Sequence, residues 1–327
     1  MKIAVTGAAG YIGTHTVREL LKSGHQIIMI ENNHVGSGIG LIEFVGNPKV
    51  EIKIGDIRDY NFIETVLYNV DKVIHLAAIV GEPACDKDEN LAEEVNVNGT
   101  LNVIKACKKN NVKHLHFMST ASSYGVQDDK ITANENTPVN PISFYAKTKL
   151  DMEDAILNST NQNFYATIFR PSTVHGMSTR MRFDLIVNTM SKHCFLDKKL
   201  SLFGLTLWRP IFWVGDAARA ISLVINAADD LVRNEIFNCG NNSENYQIKD
   251  IGEIVASQFN DVSITYDSSF RDARSYKVDF SKFENIGFKT SKSLEKCVQE
   301  IKFSLENSII NDPSSKEYYN HLIDLNK

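Results

Sequence analysis

The most constraining feature of this chain lies in its first two dozen residues. Ile3-Ala4-Val5 is a short apolar run, and Thr6-Gly7-Ala8-Ala9-Gly10-Tyr11-Ile12-Gly13 follows at once. The stretch Tyr11–Lys22 then places Ile12, Val17, Leu20 and Leu21 at helical spacing. A buried strand, a tight glycine turn and a helix in that order make a phosphate-binding device. Gly7 can take backbone angles that a side chain forbids, and Gly10 lets a pyrophosphate approach the main chain. Gly13 lets the helix pack close to the strand, with Tyr11 and Ile12 between them on the same surface. The first amides of the helix face the anion. An ordinary turn can also hold three glycines; the strand–helix context is what selects dinucleotide binding.

The chain continues as such a device requires. Gln26–Ile30 is a second strand ending at Glu31, where a carboxylate can accept hydrogen bonds from an adenosine ribose and repel a 2′-phosphate. NAD is therefore expected over NADP. Asn32–Pro48, rich in Gly and Asn, is expected to be irregular. Val50–Ile54 is a third strand, and Gly55-Asp56-Ile57-Arg58-Asp59 turns into a helix reaching Tyr68, with Asp59 as its N-cap. Asp56 falls at the strand edge where a doubly wound sheet binds its ligand, so it is a candidate adenine contact or a simple turn residue. Lys72–Leu76 is a fourth strand, and the small Ala77 and Ala78 after it suit a surface beneath a nicotinamide ring. Asp86–Asn110 is expected to be one long helical stretch, Val112–Met118 a fifth strand and Phe164–Phe169 a sixth.

This alternation predicts an α/β fold: a doubly wound parallel sheet of the Rossmann type with a smaller C-terminal substrate-binding region. The expected division is 1–176 for the dinucleotide domain, with about 210–240 returning to it. The stretches 177–209 and 241–327 then form the substrate-binding region.

A second informative region lies at Ser119-Thr120-Ala121-Ser122-Ser123-Tyr124-Gly125, followed by Tyr145-Ala146-Lys147-Thr148-Lys149. Four residues apart on a helix, Tyr145 and Lys149 share a face. An ammonium beside a phenol favours the phenolate, which makes Tyr145 a candidate proton acceptor from a substrate hydroxyl. A hydroxyl residue at the end of the preceding strand could hold the same oxygen. Alone, such a pair can be a solvated helix face; downstream of a dinucleotide turn it points to catalysis.

Composition narrows the partners. A chain of 327 residues with 23% charged residues and a net charge of −5 has no basic footprint for nucleic acid or for a membrane surface. Met1 leads directly into the first strand, and no apolar run is long enough to span a bilayer, so a cytoplasmic protein is expected. The five cysteines are scattered without close pairs, which argues against disulfides and a metal site.

Together these residues resemble the extended short-chain dehydrogenase/reductase family, in its NAD-dependent epimerase/dehydratase branch acting on nucleotide sugars. The resemblance is carried by Gly7, Gly10 and Gly13; Glu31; Asp56-Ile57; His75-Leu76-Ala77-Ala78; Asn96 to Thr100; Ser119-Thr120; Tyr145 to Lys149; and Arg209 to Asp216. It implies that Tyr145 is the general acid/base and that Lys149 grips the nicotinamide ribose. Thr120, which lies 25 residues before Tyr145, would take the place of the family's Ser or Thr. Asn96 would support the cofactor region from within its helix, and Leu76, Ala77 and Ala78 would line that region. On the substrate side, Arg209 would bind the diphosphate of a nucleotide-diphosphate sugar, as a bidentate guanidinium can. Arg274 would be a second such arginine, with Arg271 as fallback. Ser122, Thr173 and Arg182 are further substrate-side candidates. Thr173 stands where the family often has an asparagine, and Arg180 is weighed with Arg182 as nucleotide-facing.

Met181–Asn188 is expected to open a helix over the cofactor mouth, Asp216 to cap a helix reaching Ala227, and Lys292–Asn307 to form an amphipathic helix. His175 is expected to pack or cap a turn, and the tail after Asp312 carries no motif. The resemblance further implies a homodimer.

The reaction implied is epimerisation: oxidation of a sugar hydroxyl to a transient ketone, then re-reduction. A nucleotide-sugar dehydrogenase or keto-sugar reductase would use the same residues for net hydride transfer. Val80–Cys85 and Met181–Asn188 resemble a subgroup that includes heptose-nucleotide oxidoreductases. The family's 4,6-dehydratases carry an Asp-Glu pair after the catalytic threonine; here Ala121 and Ser122 stand there and can supply neither acid nor base. A non-catalytic NAD-binding sensor would typically lack the Tyr–Lys pair that this chain keeps.

Overall fold

The computed structural model describes residues 1–34, 38–267 and 274–322. Seven strands make one parallel sheet: β1 (Lys2–Thr6), β2 (Gln26–Glu31), β3 (Val50–Ile54), β4 (Lys72–His75), β5 (His114–Met118), β6 (Tyr165–Pro171) and β7 (Glu235–Cys239). Their order is β7-β6-β5-β4-β1-β2-β3. The register of β1 runs from Lys2 opposite Gln26 to Thr6 opposite Ile30 on one side. On its other side Ile3 faces Lys72 and Thr6 faces His75. The chain reverses its winding direction between β1 and β4, so the carboxyl ends of these strands open a crevice there, the place where doubly wound sheets bind ligands.

Helices cover both faces because nearly every residue of the inner strands is buried. Gly13–Lys22 and Val214–Asn226 cover one face, joined by Phe283 and Phe288. Tyr60–Val66, Thr100–Lys109 and Phe144–Asn158 cover the other. Beyond them, helices Ile186–Leu196, Ile248–Ser257 and Leu294–Glu306 pack with the parallel pair Lys199–Phe203 and Ser263–Asp267 into a smaller apolar cluster. Thr173–His175, Trp208–Trp213 and Asn245–Gln247 form a small sheet beside it. Among the described residues no helix is long and apolar enough to cross a membrane.

Four local expectations are corrected. The stretch expected as one helix from Asp86 is interrupted once, at Asp88: Glu82–Lys87 ends there, and the chain is then helical from Glu89 to Lys109, passing through a π-helical segment at Glu94–Gly99. Pro83 sits in the first turn of the first piece, and Asp88 caps the second by accepting from Leu91 N at 2.9 Å. The Asn32–Pro48 stretch contains a helical turn, Ile39–Ile42, entered through Gly38 at φ +71°. Met181–Leu185 is not helical; the helix begins at Ile186, because Met181 and Phe183 turn into a buried cluster with Tyr11 and Tyr319. Asp216 does not cap its helix. It is the third residue in, fully buried, and accepts from Ser291 N at 2.8 Å and Ser291 Oγ at 2.7 Å. Asp59 does cap, accepting from Phe62 N at 3.1 Å.

Candidate active site

The crevice at the sheet's switch point is a cavity of about 680 Å³ that runs from the glycine turn to the smaller cluster of helices. At one end, Gly7 holds φ +66°, donates its N–H to Ile30 O at 2.9 Å, and lies so close to β4 that a Cβ would stand 2.8 Å from Ala77 N. A Cβ on Gly13 would overlap Gly7 O. Gly10 differs: a Cβ there would meet only Gly7 O, at 3.1 Å, so its other side is open to the cleft. Two glycines serve close packing and the third leaves room for a ligand against bare backbone. This is the arrangement that a dinucleotide pyrophosphate needs, and NAD fits the residues present.

Glu31, at the end of β2, lines the same end of the cleft. Its carboxylate accepts from Ala9 N and Asn33 N, each at 3.1 Å. Burial nevertheless pushes its pKa up, with the backbone bonds pulling the other way. Ile57, Leu76, Ala77, Ala78, Tyr11 and Ile12 line the cleft as well. Two cofactor-side candidates do not. Asp56 is tied to Arg58 at 2.9 Å and to Asn32 at 3.1 Å, and it is Arg58 that reaches the cavity wall. Asn96, on the π-helical turn, accepts from Ile79 N at 2.8 Å and donates to Ile79 O at 3.0 Å. It shapes the loop after β4 from behind.

Midway along the cleft the catalytic candidates converge. Ser143 caps the helix Phe144–Asn158 by accepting from Ala146 N at 3.1 Å, which places Tyr145 in the first turn at the cavity wall. Thr120 follows the end of β5 in extended backbone, with its hydroxyl accepting from Ser122 N at 3.1 Å, and lines the same cavity as Tyr145. Lys149 donates to Met118 O at 2.9 Å with its ammonium 4.7 Å above the Phe117 ring. Burial pushes Lys149 down to about 8. Burial also pushes the Tyr145 phenol well above its ordinary value, while Arg182 and the Thr120 hydroxyl pull it back. The lowering expected from Lys149 does not set this balance; desolvation does, since both groups are buried among Phe117, Cys85 and the sheet.

The substrate-side candidates share this cavity, with Arg209 beside Tyr276 toward the smaller cluster of helices. Ser122, Thr173, Arg182, Arg209 and Arg274 all line the cavity. Arg182 makes a bidentate pair with Asp184, both bonds 2.9 Å. Arg209 is buried, 5.7 Å from the Tyr276 ring centre, and bonded to Trp208 O at 3.0 Å and to Arg274 O. Arg274 pairs with Glu82 at 2.6 Å. Arg271 lies outside the described residues. His175 is buried in the small sheet and packs, as expected, rather than facing the cleft. Arg180, weighed with Arg182 as nucleotide-facing, lines the wall too, as do residues of two stretches already singled out and one of the tail that sequence reasoning did not choose: Glu82, Asp184 and Asn320. Asn320 carries no signal of its own.

Comparison with known proteins accords with this geometry. A family model described as "NAD dependent epimerase/dehydratase family" matches residues 3–240. A putative UDP-glucose 4-epimerase of Methanocaldococcus jannaschii is 28% identical over 311 residues, covering 91% of this chain and 96% of that one. A UDP-glucose 4-epimerase of Lactobacillus helveticus is 36% identical over 155 residues. That match covers 47% of this chain and 45% of the relative, so the chain spans about half of that curated protein. Among solved structures, a UDP-glucuronic acid 4-epimerase from Bacillus cereus, in complex with UDP-glucuronic acid and NAD, superposes with a TM-score of 0.83. It is 26% identical, covering 94% of this chain and 99% of that one.

Proposed function

The chain belongs to the NAD dependent epimerase/dehydratase family, and from that membership we propose that it is an epimerase acting on a nucleotide-diphosphate sugar. The observation that carries the reading is one cleft in which Tyr145 and Thr120 stand between a glycine-lined cofactor end and an arginine-lined substrate end. NAD, when bound, supplies the acceptor and donor of hydride for a sugar carbon. The Gly7–Gly13 turn, Glu31 and Lys149 would hold it.

The chain's own residues handle the proton and the sugar. Tyr145 Oη takes the proton of the sugar hydroxyl as the carbon is oxidised and returns it when the carbonyl is reduced. Thr120 Oγ1 holds the same sugar oxygen. Arg209 and Arg274 bind the diphosphate, which leaves the sugar end free to turn between its two faces. Arg274 must exchange Glu82 for phosphate oxygens to do this. Neither Ala121 nor Ser122 can manage elimination of water, which weighs against dehydration. A homodimer belongs to the same reading, from the family resemblance.

A second reading, net dehydrogenation or reduction, is favoured by one feature. Val80, Gly81, Glu82, Arg182 and Asp184, in the stretches that resemble heptose-nucleotide oxidoreductases, all line the cleft. Mass spectrometry on UDP-, GDP-, CDP- and dTDP-sugars incubated in deuterated water separates the two. Epimerisation gives an isomer without accumulating reduced dinucleotide; net dehydrogenation gives a ketone and reduced dinucleotide in equal amounts, and net reduction of a keto sugar consumes one reduced dinucleotide per alcohol formed. With the substrate found, Tyr145→Phe should keep NAD affinity and lose about 10²–10⁴-fold in turnover. Lys149→Ala should lose both properties, and Thr120→Val turnover alone. Full activity in Tyr145→Phe would refute the reading.

A further inference from the structure

The tail that carried no sequence motif returns to the cleft. After the helix Leu294–Glu306 the chain crosses to the glycine-turn end, and Tyr319 buries its ring in the cluster that holds Tyr11, Met181 and Phe183. The Tyr319 hydroxyl accepts from Lys192 Nζ at 2.8 Å and donates to Pro313 O at 3.0 Å. Its neighbours then bridge two walls. Phe183 N donates to Tyr318 O at 2.9 Å, and Asn320 N donates to Asp184 Oδ2 at 3.0 Å. On the opposite wall, Asn320 Nδ2 donates to Val80 O at 3.2 Å and Lys87 Nζ donates to His321 O at 3.2 Å.

Asn320 is the telling residue. It lines the cavity, and its Oδ1 is buried with no hydrogen-bond partner among the described residues. The amide cannot be flipped to cure this, because Oδ1 would then face the carbonyl of Val80. A buried acceptor without a donor costs stability, so it marks a place where a donor arrives from elsewhere. Asp184, which anchors the Asn320 backbone, is itself fixed: burial would raise its carboxyl, but Arg182 and the Asn320 N–H outweigh that and hold it below the usual range. Further along, Arg180 lies in the field of both Glu31, at the adenosine end of the cleft, and Glu317 on the tail.

We infer that residues 316–322 are a strap belonging to the dinucleotide site, with Asn320 Oδ1 accepting a hydrogen bond from a hydroxyl or amide donor of the bound dinucleotide. The inference rests on the cofactor assignment made above and extends it. The strap contacts Val80, just after β4, and packs near Tyr11 of the glycine turn, which is the cofactor half of the cleft rather than the Arg209 end. It joins both walls, so the dinucleotide can leave only as the strap lets go. A cofactor held in this way stays through many turnovers, as an enzyme that must return the hydride it takes requires.

The test is the rate of release of reduced dinucleotide, followed by its fluorescence on displacement with excess NAD. Wild type, Asn320→Ala and a chain ending at Ser315 are compared, and each is also checked for folding by thermal melting. One lost hydrogen bond should speed release about three- to tenfold in Asn320→Ala. The shortened chain should release faster still. If the shortened chain does not fold, Asn320→Ala decides alone. Release at the wild-type rate from folded Asn320→Ala overturns the inference, including the case in which only the KM for a sugar rises. A wild-type protein that takes up no dinucleotide would instead overturn the cofactor assignment beneath it.

Discussion

Glu153 offers the sharpest test of how the catalytic groups are held in place. It lies one helical turn beyond Lys149, and its side chain is 1% exposed against 5% for its partner Arg170 on β6. Arg170 gives it Nε at 3.0 and 3.1 Å and a second nitrogen at 2.6 Å, and Ser119 Oγ donates to the same carboxylate. Arg170 reaches on to the Tyr124 hydroxyl at 3.2 Å. The pair therefore ties the helix carrying Tyr145 and Lys149 to the strand end carrying Thr120. Glu153→Ala would strand a guanidinium that has lost its counter-charge and most of its acceptors in a place that water does not reach. Breaking a buried pair from one side costs about 3–5 kcal/mol. At about 2–4 °C per kcal/mol that lowers the melting temperature by about 6–20 °C. Replacing both partners with apolar residues, Glu153→Leu with Arg170→Met, should restore most of the loss, since desolvation no longer opposes the fold. Thermal and urea unfolding of wild type, Glu153→Leu, Arg170→Met and the double variant measure the coupling directly. A loss below about 1 kcal/mol for Glu153→Ala, or a double variant as unstable as the sum of the singles, would refute the reasoning.

Two further outcomes are expected. With Glu31 in its proposed place against the adenosine ribose, NAD should bind at least about tenfold more tightly than NADP, or about 1.4 kcal/mol, and Glu31→Ser should narrow the gap; equal affinities in wild type by calorimetry would remove Glu31 from this role. Acid should destabilise the fold through His75, His114 and His175, each pushed by burial to about 3, and His116, pushed well below 6.5. Between about 3 and 6.5 the unfolded chain binds these protons and the folded chain does not, so stability falls as pH falls, by up to about 1.4 kcal/mol per pH unit for each histidine. Urea unfolding at pH 7 and pH 5 should show the loss, and His116→Phe should flatten it.

The glycine turn, the six strands from β1 to β6 and the Tyr145–Lys149 face were legible in the sequence because each rests on local rules. Periodicity, the steric freedom of glycine and the geometry of one helical turn act within a few residues, so they leave a local trace. Asp59 was legible as a cap for the same reason. Asp216 was misjudged because its partner Ser291 lies 75 residues away. The same distance problem hid the π-helical segment Glu94–Gly99, where Asn96 is drawn to Ile79 of another loop. The helix expected at Met181 yielded to burial of Met181 and Phe183 against Tyr11 and Tyr319, a demand set by the packing of far parts of the chain. The balance at Tyr145 also needed tertiary structure, because the spacing of a lysine and a phenol gives their proximity but not the dielectric around them. Asn320 is the extreme case. It meets Asp184 across 136 residues and Val80 across 240. No period, cap or glycine marks it, because only the closing of one wall of the cleft upon the other brings those three residues together.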